Sequence, residues 1–119
     1  MEVLVTDYAW ADLEEERAIL KAAGASLVVA ETGEEPELIR LAGAVEGILT
    51  CWKRVTAPVL TAAVRCRSVG RYGIGLDNID VACATELGMV VTNVPAYCLD
   101  EVSDHAMALI LACSRKVAF

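Results

Sequence analysis

Apolar runs alternate with helix-spaced segments along most of this chain, and that alternation constrains the fold more than any other feature. EVLVT (2–6), SLVVA (26–30), EGILT (46–50), a run within CRSVGRYG (66–73) and MVVTN (89–93) each read as a strand. Strands apolar at consecutive positions have both faces buried, and strands separated by helices of about two to four turns join in parallel. Between them, WADLEEERAILKAAG carries Leu13, Ala18, Ile19 and Ala22 at helical spacing, a carboxylate-rich first turn and Gly24 as a stop. A second helix opens at TGEE, with Pro36 in its first turn and Leu38, Ile39 and Leu41 turned inward. Thr56 is the predicted N-cap of a third, running through Pro58, Leu60 and Val64, and a short fourth covers residues 80–87.

Five such units in 119 residues predict an α/β fold, a flavodoxin-like doubly wound five-stranded parallel sheet of order 2-1-3-4-5. Past Pro95 the pattern changes. LDEVSDHAMALILACSRKVAF (99–119) reads as one long C-terminal helix, acidic at Asp100, Glu101 and Asp104 and basic at Arg115 and Lys116, as the helix dipole favours. Its middle, AMALILA, is apolar on nearly every side and needs burial all round. The preceding domain offers at most one face, so a second surface must come from another domain or another chain. A homodimer through this helix is expected, by antiparallel pairing or by exchange between two copies.

Hydrophobic residues make up 56% of the chain, above the ordinary ~45–50%, which agrees with apolar surface kept for a partner. A net charge of −7 argues against nucleic acid and anionic membrane, both of which need a basic footprint. No apolar run reaches the roughly 18 residues of a membrane span, and MEVLVTDY lacks the layout of a signal peptide. A soluble, cytoplasmic protein is expected. Five cysteines without CxxC spacing, beside a single histidine, predict no metal site; the thiols read as reduced, half-buried small hydrophobes.

The segment richest in chemistry is GRYGIGLDNID (70–80). Gly73, Gly75 and Asn78 stand where a dinucleotide fingerprint has three glycines, and Asp77 would oppose a pyrophosphate, so that reading is weak. A second reading is a strand-to-helix turn with glycines at positive φ and Asp77, Asn78 or Asp80 capping the next helix. A third keeps the turn and adds a purpose. Bare N–H groups at the carboxyl end of a central strand would form a nest for a small carboxylate, with Arg71 as a nearby source of positive field. Spacing alone does not separate the last two.

RYGIGLDNID followed by ELGMVVTNVPAYCLDEVSDHAMALILACSRK resembles the N-terminal part of the D-isomer-specific 2-hydroxyacid dehydrogenases. That family includes phosphoglycerate dehydrogenases, glyoxylate/hydroxypyruvate reductases and the C-terminal binding protein corepressors. The likeness implies a substrate domain over residues 1–98 and an interdomain helix over 99–119, the cofactor (Rossmann) domain being absent from this chain. It implies that Gly73, Ile74 and Gly75 bind the substrate carboxylate through the backbone. It also implies that NAD touches Ile74 and, on the crossing helix, Val102. The family's GxGxxG, its substrate-gripping arginine and its histidine–carboxylate pair all come after this helix, so no catalytic residue is expected here. His105 is expected to pack or cap on the helix. Serine-pathway phosphoglycerate dehydrogenase has an arginine–serine pair at the end of strand three, where LTCWKRVT places Thr50 and Cys51. Lys53 or Arg54 could reach an anion, although solvated surface roles suit both. In this stretch the chain looks closer to the corepressor-like branch.

The resemblance thus implies the substrate-domain part of an NAD-dependent enzyme that interconverts a small 2-hydroxy acid and its 2-keto acid. As a truncated piece it is expected to be inactive and not to bind NAD alone. Two rivals stay open, a non-catalytic module binding a peptide or partner and a truncated relic.

Overall fold

The computed structural model describes residues 1–117. Its strands, β1 (Glu2–Val5), β2 (Ser26–Val29), β3 (Gly47–Thr50), β4 (Ser68–Arg71) and β5 (Val90–Thr92), pair in parallel in the order β2-β1-β3-β4-β5. Each lies inside the apolar run that predicted it. The helices are α1 (Glu14–Ala22), α2 (Glu35–Ala42), α3 (Ala57–Ala62), α4 (Val81–Glu86) and α5 (Leu99–Arg115). Among the described residues no helix is long and apolar enough to cross a membrane.

The pleat sorts the strand residues into two rows. Leu4, Ile48, Val69 and Val91 are direct partners across four strands. They meet Leu38 and Ala42 of α2, Val59 and Leu60 of α3 and Ala84 of α4 in one core. The opposite face carries Val5, Leu49, Gly70 and Thr92, with Gly47, Ser68 and Val90 one step back. Only α1 lies on that side, against β2. The cause is the path of the chain: it steps one way from β1 to β2 and the other way thereafter. With every crossover right-handed, one helix falls on one face and three on the other.

Several helical faces differ from the sequence expectation. Leu13 is buried just ahead of α1 and Leu20 half-buried within it, while Ala18 and Ala22 are exposed and Ile19 is 70% exposed. Positions 13 and 20 lie about 20° apart on a helix, whereas 19 is about 100° from 20 and about 120° from 13, so the stripe runs through the leucines. On α2, Leu38 and Ala42 are buried and Ile39 faces out. The third helix stops at Ala62, leaving Val64 80% exposed. Thr56 stands at its N-cap position without capping it, because its hydroxyl bonds the Glu35 carboxylate of α2.

The last helix is shorter than predicted. Lys116 turns left-handed (φ 53°), and the N–H groups of Lys116 and Val117 close onto the carbonyls of Cys113 and Ala112, a Schellman-type end. Residues 118–119 of the predicted helix lie outside the described residues. No residue of α5 is buried. His105, expected to pack or cap, is exposed in mid-helix. A compact chain of this length has a radius of gyration of about 13.5 Å, and this one reaches 17.4 Å with a 55 Å long axis. The helix stands away from the sheet.

The loop before α2 is organised by Glu37. The Thr32 hydroxyl and the N–H groups of Glu31, Thr32 and Gly33 all donate to its carboxylate, holding its pKa at about 2 rather than 4.5. Because the folded value is depressed, this stabilisation is complete above pH 4.5 and disappears as pH falls towards 2. Circular dichroism of an acid titration should show Glu37→Gln unfolding with a shallower pH dependence than the parent across that window.

Candidate functional site

In a doubly wound sheet a ligand crevice opens where the strand order reverses, here between the carboxyl ends of β1 and β3. That place is filled from within. Asp7, just past β1, accepts the N–H groups of Cys51 (3.0 Å), Trp52 (2.7 Å) and Lys53 (3.2 Å), and the Thr6 hydroxyl at 2.8 Å. Burial pushes the Asp7 carboxyl upward, but the donors from Trp52, Thr6, Cys51 and Lys53 outweigh it and hold the carboxyl below its ordinary value. The chain's own anion occupies the nest. Cys51 beside it is buried, and burial together with the Asp7 charge raises its thiol, which stays protonated.

This turn is then joined to the loop after β4. The Lys53 carbonyl accepts from the Thr50 hydroxyl (2.9 Å) and from Asn78 Nδ2 (2.9 Å), and Asn78 Oδ1 accepts Arg71 Nε (3.1 Å). Val55 and Ile79 add a parallel bridge, and Asp80 caps α4 through the Cys83 N–H at 3.0 Å. Of the cations named from the sequence, Lys53 Nζ lies 2.6 Å from Glu34 and Arg71 is bent onto Asn78, while Arg54 is exposed.

At Gly73–Gly75 the backbone is tied on one side only. The Gly73 carbonyl accepts the Val94 N–H (3.1 Å), and the Ile74 carbonyl accepts Asn93 Nδ2 (2.8 Å). In a trans peptide the C=O and the following N–H point in opposite directions. Anchoring those two carbonyls towards the residues after β5 therefore aims the N–H groups of Ile74 and Gly75 the other way. Neither donates to any group among the described residues, and both residues are exposed. The pair can grip the oxygens of one small carboxylate.

Neither loop glycine takes the positive φ the sequence suggested; the left-handed glycines are Gly24, Gly33 and Gly88. A Cβ on Gly75 would stand 2.7 Å from Asp77 Oδ1, and one on Gly73 3.0 Å from Arg71 Nη1, both tips of flexible side chains. Val102 is exposed on α5, beyond the Asn93–Val94 tie. Sequence reasoning missed Asp7, Trp10 and Tyr72. The Tyr72 ring meets Trp10 edge-on at 4.7 Å, and its hydroxyl is buried with no partner among the described residues. Burial first, then the charge of Glu16, raises its pKa well above 10. A carboxylate directly after the first strand was the one readable signal for Asp7.

A family model for the D-isomer specific 2-hydroxyacid dehydrogenase catalytic domain matches residues 3–116. The chain belongs to that family. A D-3-phosphoglycerate dehydrogenase of Archaeoglobus fulgidus is 42% identical over 82 residues, 68% of this chain and 16% of its own length. A hydroxypyruvate reductase of Thermotoga maritima is 38% identical over 92 residues, 76% of this chain and 30% of its own. In fold, the NAD+-bound 3-phosphoglycerate dehydrogenase of Entamoeba histolytica superimposes with a TM-score of 0.81 at 21% identity, over 94% of this chain and 38% of that one. The chain spans well under half the length of the proteins it matches. NAD is bound in solved neighbours such as the Entamoeba histolytica enzyme and a D-lactate dehydrogenase of Aquifex aeolicus, and NADPH in an acyclic imino acid reductase of the same fold.

Replacing Asp7 by Asn takes away the anion that gathers three backbone donors. With its partial exposure discounted, the expected loss is about 1–2 kcal/mol in urea unfolding. Since the folded pKa is lowered, the difference between the two proteins should vanish as pH falls below 3.8.

Proposed function

We propose that the N–H groups of Ile74 and Gly75, with Gly73 permitting the approach, seat the carboxylate of a small 2-hydroxy or 2-keto acid. On this reading residues 1–98 are the substrate domain and 99–119 the interdomain helix of a cytoplasmic NAD-dependent 2-hydroxyacid dehydrogenase. One observation carries it: two adjacent amides, unpaired and exposed at the carboxyl end of a central strand, are aimed outward by bonds to their own peptide carbonyls. Ile74 and Val102 both expose apolar side chains and would contact NAD, which when bound supplies or accepts the hydride. These 119 residues hold the acid and do not turn it over. Their one histidine, His105, is exposed on α5, and the sequence has no GxGxxG.

Thr50 and Cys51, which stand where the serine-pathway enzymes have their arginine–serine pair, are both buried, and Lys53 is engaged by Glu34, which leaves Arg54 as the exposed cation of this stretch. The missing arginine–serine pair favours the corepressor-like branch over phosphoglycerate. The bare α5 supports a homodimer through the C-terminal helix, and equally supports a partner-binding module as the second reading.

Titration of the isotope-labelled 119-residue chain with oxalate or pyruvate should shift the amide signals of Gly73 to Asp77 first, and Gly75→Val should abolish the shifts. Shifts elsewhere on the protein would remove the carboxylate seat. Steady oxidation of NADH with glyoxylate by the same purified chain would remove the claim that it binds without turnover.

A further inference from the structure

The two peptide groups of the seat are anchored by unlike means. The Gly73 carbonyl accepts a backbone N–H, that of Val94, which any residue but proline would supply there. The Ile74 carbonyl accepts Asn93 Nδ2 at 2.8 Å and no other donor among the described residues. Because the acceptor is a carbonyl oxygen, only the NH2 side of the Asn93 amide can face it. A slip in the sheet brings these groups together. The Val90 N–H bonds the Arg67 carbonyl, and a parallel ladder kept in register would carry the Val94 N–H to Arg71. It meets Gly73 instead. The strand β5 ends at Thr92, and the two residues after it reach past Arg71 and Tyr72 to the glycine loop.

We propose that Asn93 is a positioning residue of the seat: its side-chain amide sets the plane of the Ile74–Gly75 peptide, and so the aim of the Gly75 N–H, without touching the acid. This rests on the carboxylate seat proposed above and names the side chain on which one of its two donors depends. In a trans peptide the C=O held by Asn93 and the N–H offered to the acid are opposite ends of one rigid unit. Gly75 carries no Cβ to resist rotation of that unit, and its N–H has no acceptor among the described residues. With the carbonyl released, the plane is free to turn. The neighbouring plane stays, because Val94 holds it through the backbone. Loss of the Asn93 donor therefore removes one arm of the seat and spares the other. The bond also carries polarisation. A carboxylate drawing on the Gly75 N–H makes the Ile74 oxygen a stronger acceptor, which tightens the Asn93 bond from the far side. A side chain that only tied down the end of β5 would give neither the asymmetry nor the response.

Asn93 is exposed, so Asn93→Leu, close to it in shape but without the donor, leaves the fold intact, to be checked by circular dichroism. Titrated with oxalate, the isotope-labelled wild-type chain should shift the Ile74 and Gly75 amide signals together, and the Asn93 side-chain NH2 signals with them. In Asn93→Leu the oxalate dissociation constant should rise about tenfold, as for one lost hydrogen bond to a charged group. The Gly75 shift should collapse while the Ile74 shift remains. Asn93→Gln, which keeps the NH2 on a longer arm, should recover part of the affinity. Equal loss of both amide shifts, an unchanged dissociation constant in Asn93→Leu, or NH2 signals that stay still as oxalate binds would each overturn the positioning role and leave the seat standing. Wild-type amides at 73–77 that ignore oxalate altogether would remove the seat, and the role of Asn93 with it.

Discussion

The molecule is organised by a single reversal of direction. The chain steps outward once, from β1 to β2, and then crosses back to build β3, β4 and β5 on the far side. Right-handed crossovers convert that path into unequal layers, three helices over Leu4, Ile48, Val69 and Val91 and one helix on the other face. The same reversal sets the ends of β1 and β3 side by side without a connection between them, and this is where such sheets ordinarily open to ligands.

This sheet closes that opening with Asp7. Three backbone N–H groups that would otherwise face solvent or a bound anion converge on one internal carboxylate, held ionised by them. One strand along, at the end of β4, the amides of Ile74 and Gly75 have no internal acceptor among the described residues. From Asp7 through the Lys53 carbonyl and Asn78 to Arg71, a chain of bonds fixes the filled nest against the free one. The first two links join different loops and the last folds the β4 loop onto its own strand, so the position of the free amides depends on side chains outside them.

The strands and their order were legible in the sequence, because runs such as EGILT and MVVTN leave little choice but a buried parallel sheet. The rotation of the helices was less so. In α1 the stripe that packs runs through Leu13 and Leu20, and the apolar Ile19 misled because a short helix on a thinly covered face has room for an outward isoleucine. At the glycine loop GxG suggested left-handed φ, which neither Gly73 nor Gly75 adopts, because the carbonyl ties to Asn93 and Val94 and not a tight turn shape that backbone. Asp7 offered one sign, a carboxylate directly after the first strand, but its partners lie 44 to 46 residues away and no local pattern names them.

The two peptide groups that offer their N–H bonds are the same two whose oxygens are held by Asn93 and Val94 on the way to α5. On the proposed reading, a surface that tilted α5 would pull on the same two peptide planes that seat the acid, and clasping the helix and seating the acid would then change each other's affinity by one shared factor.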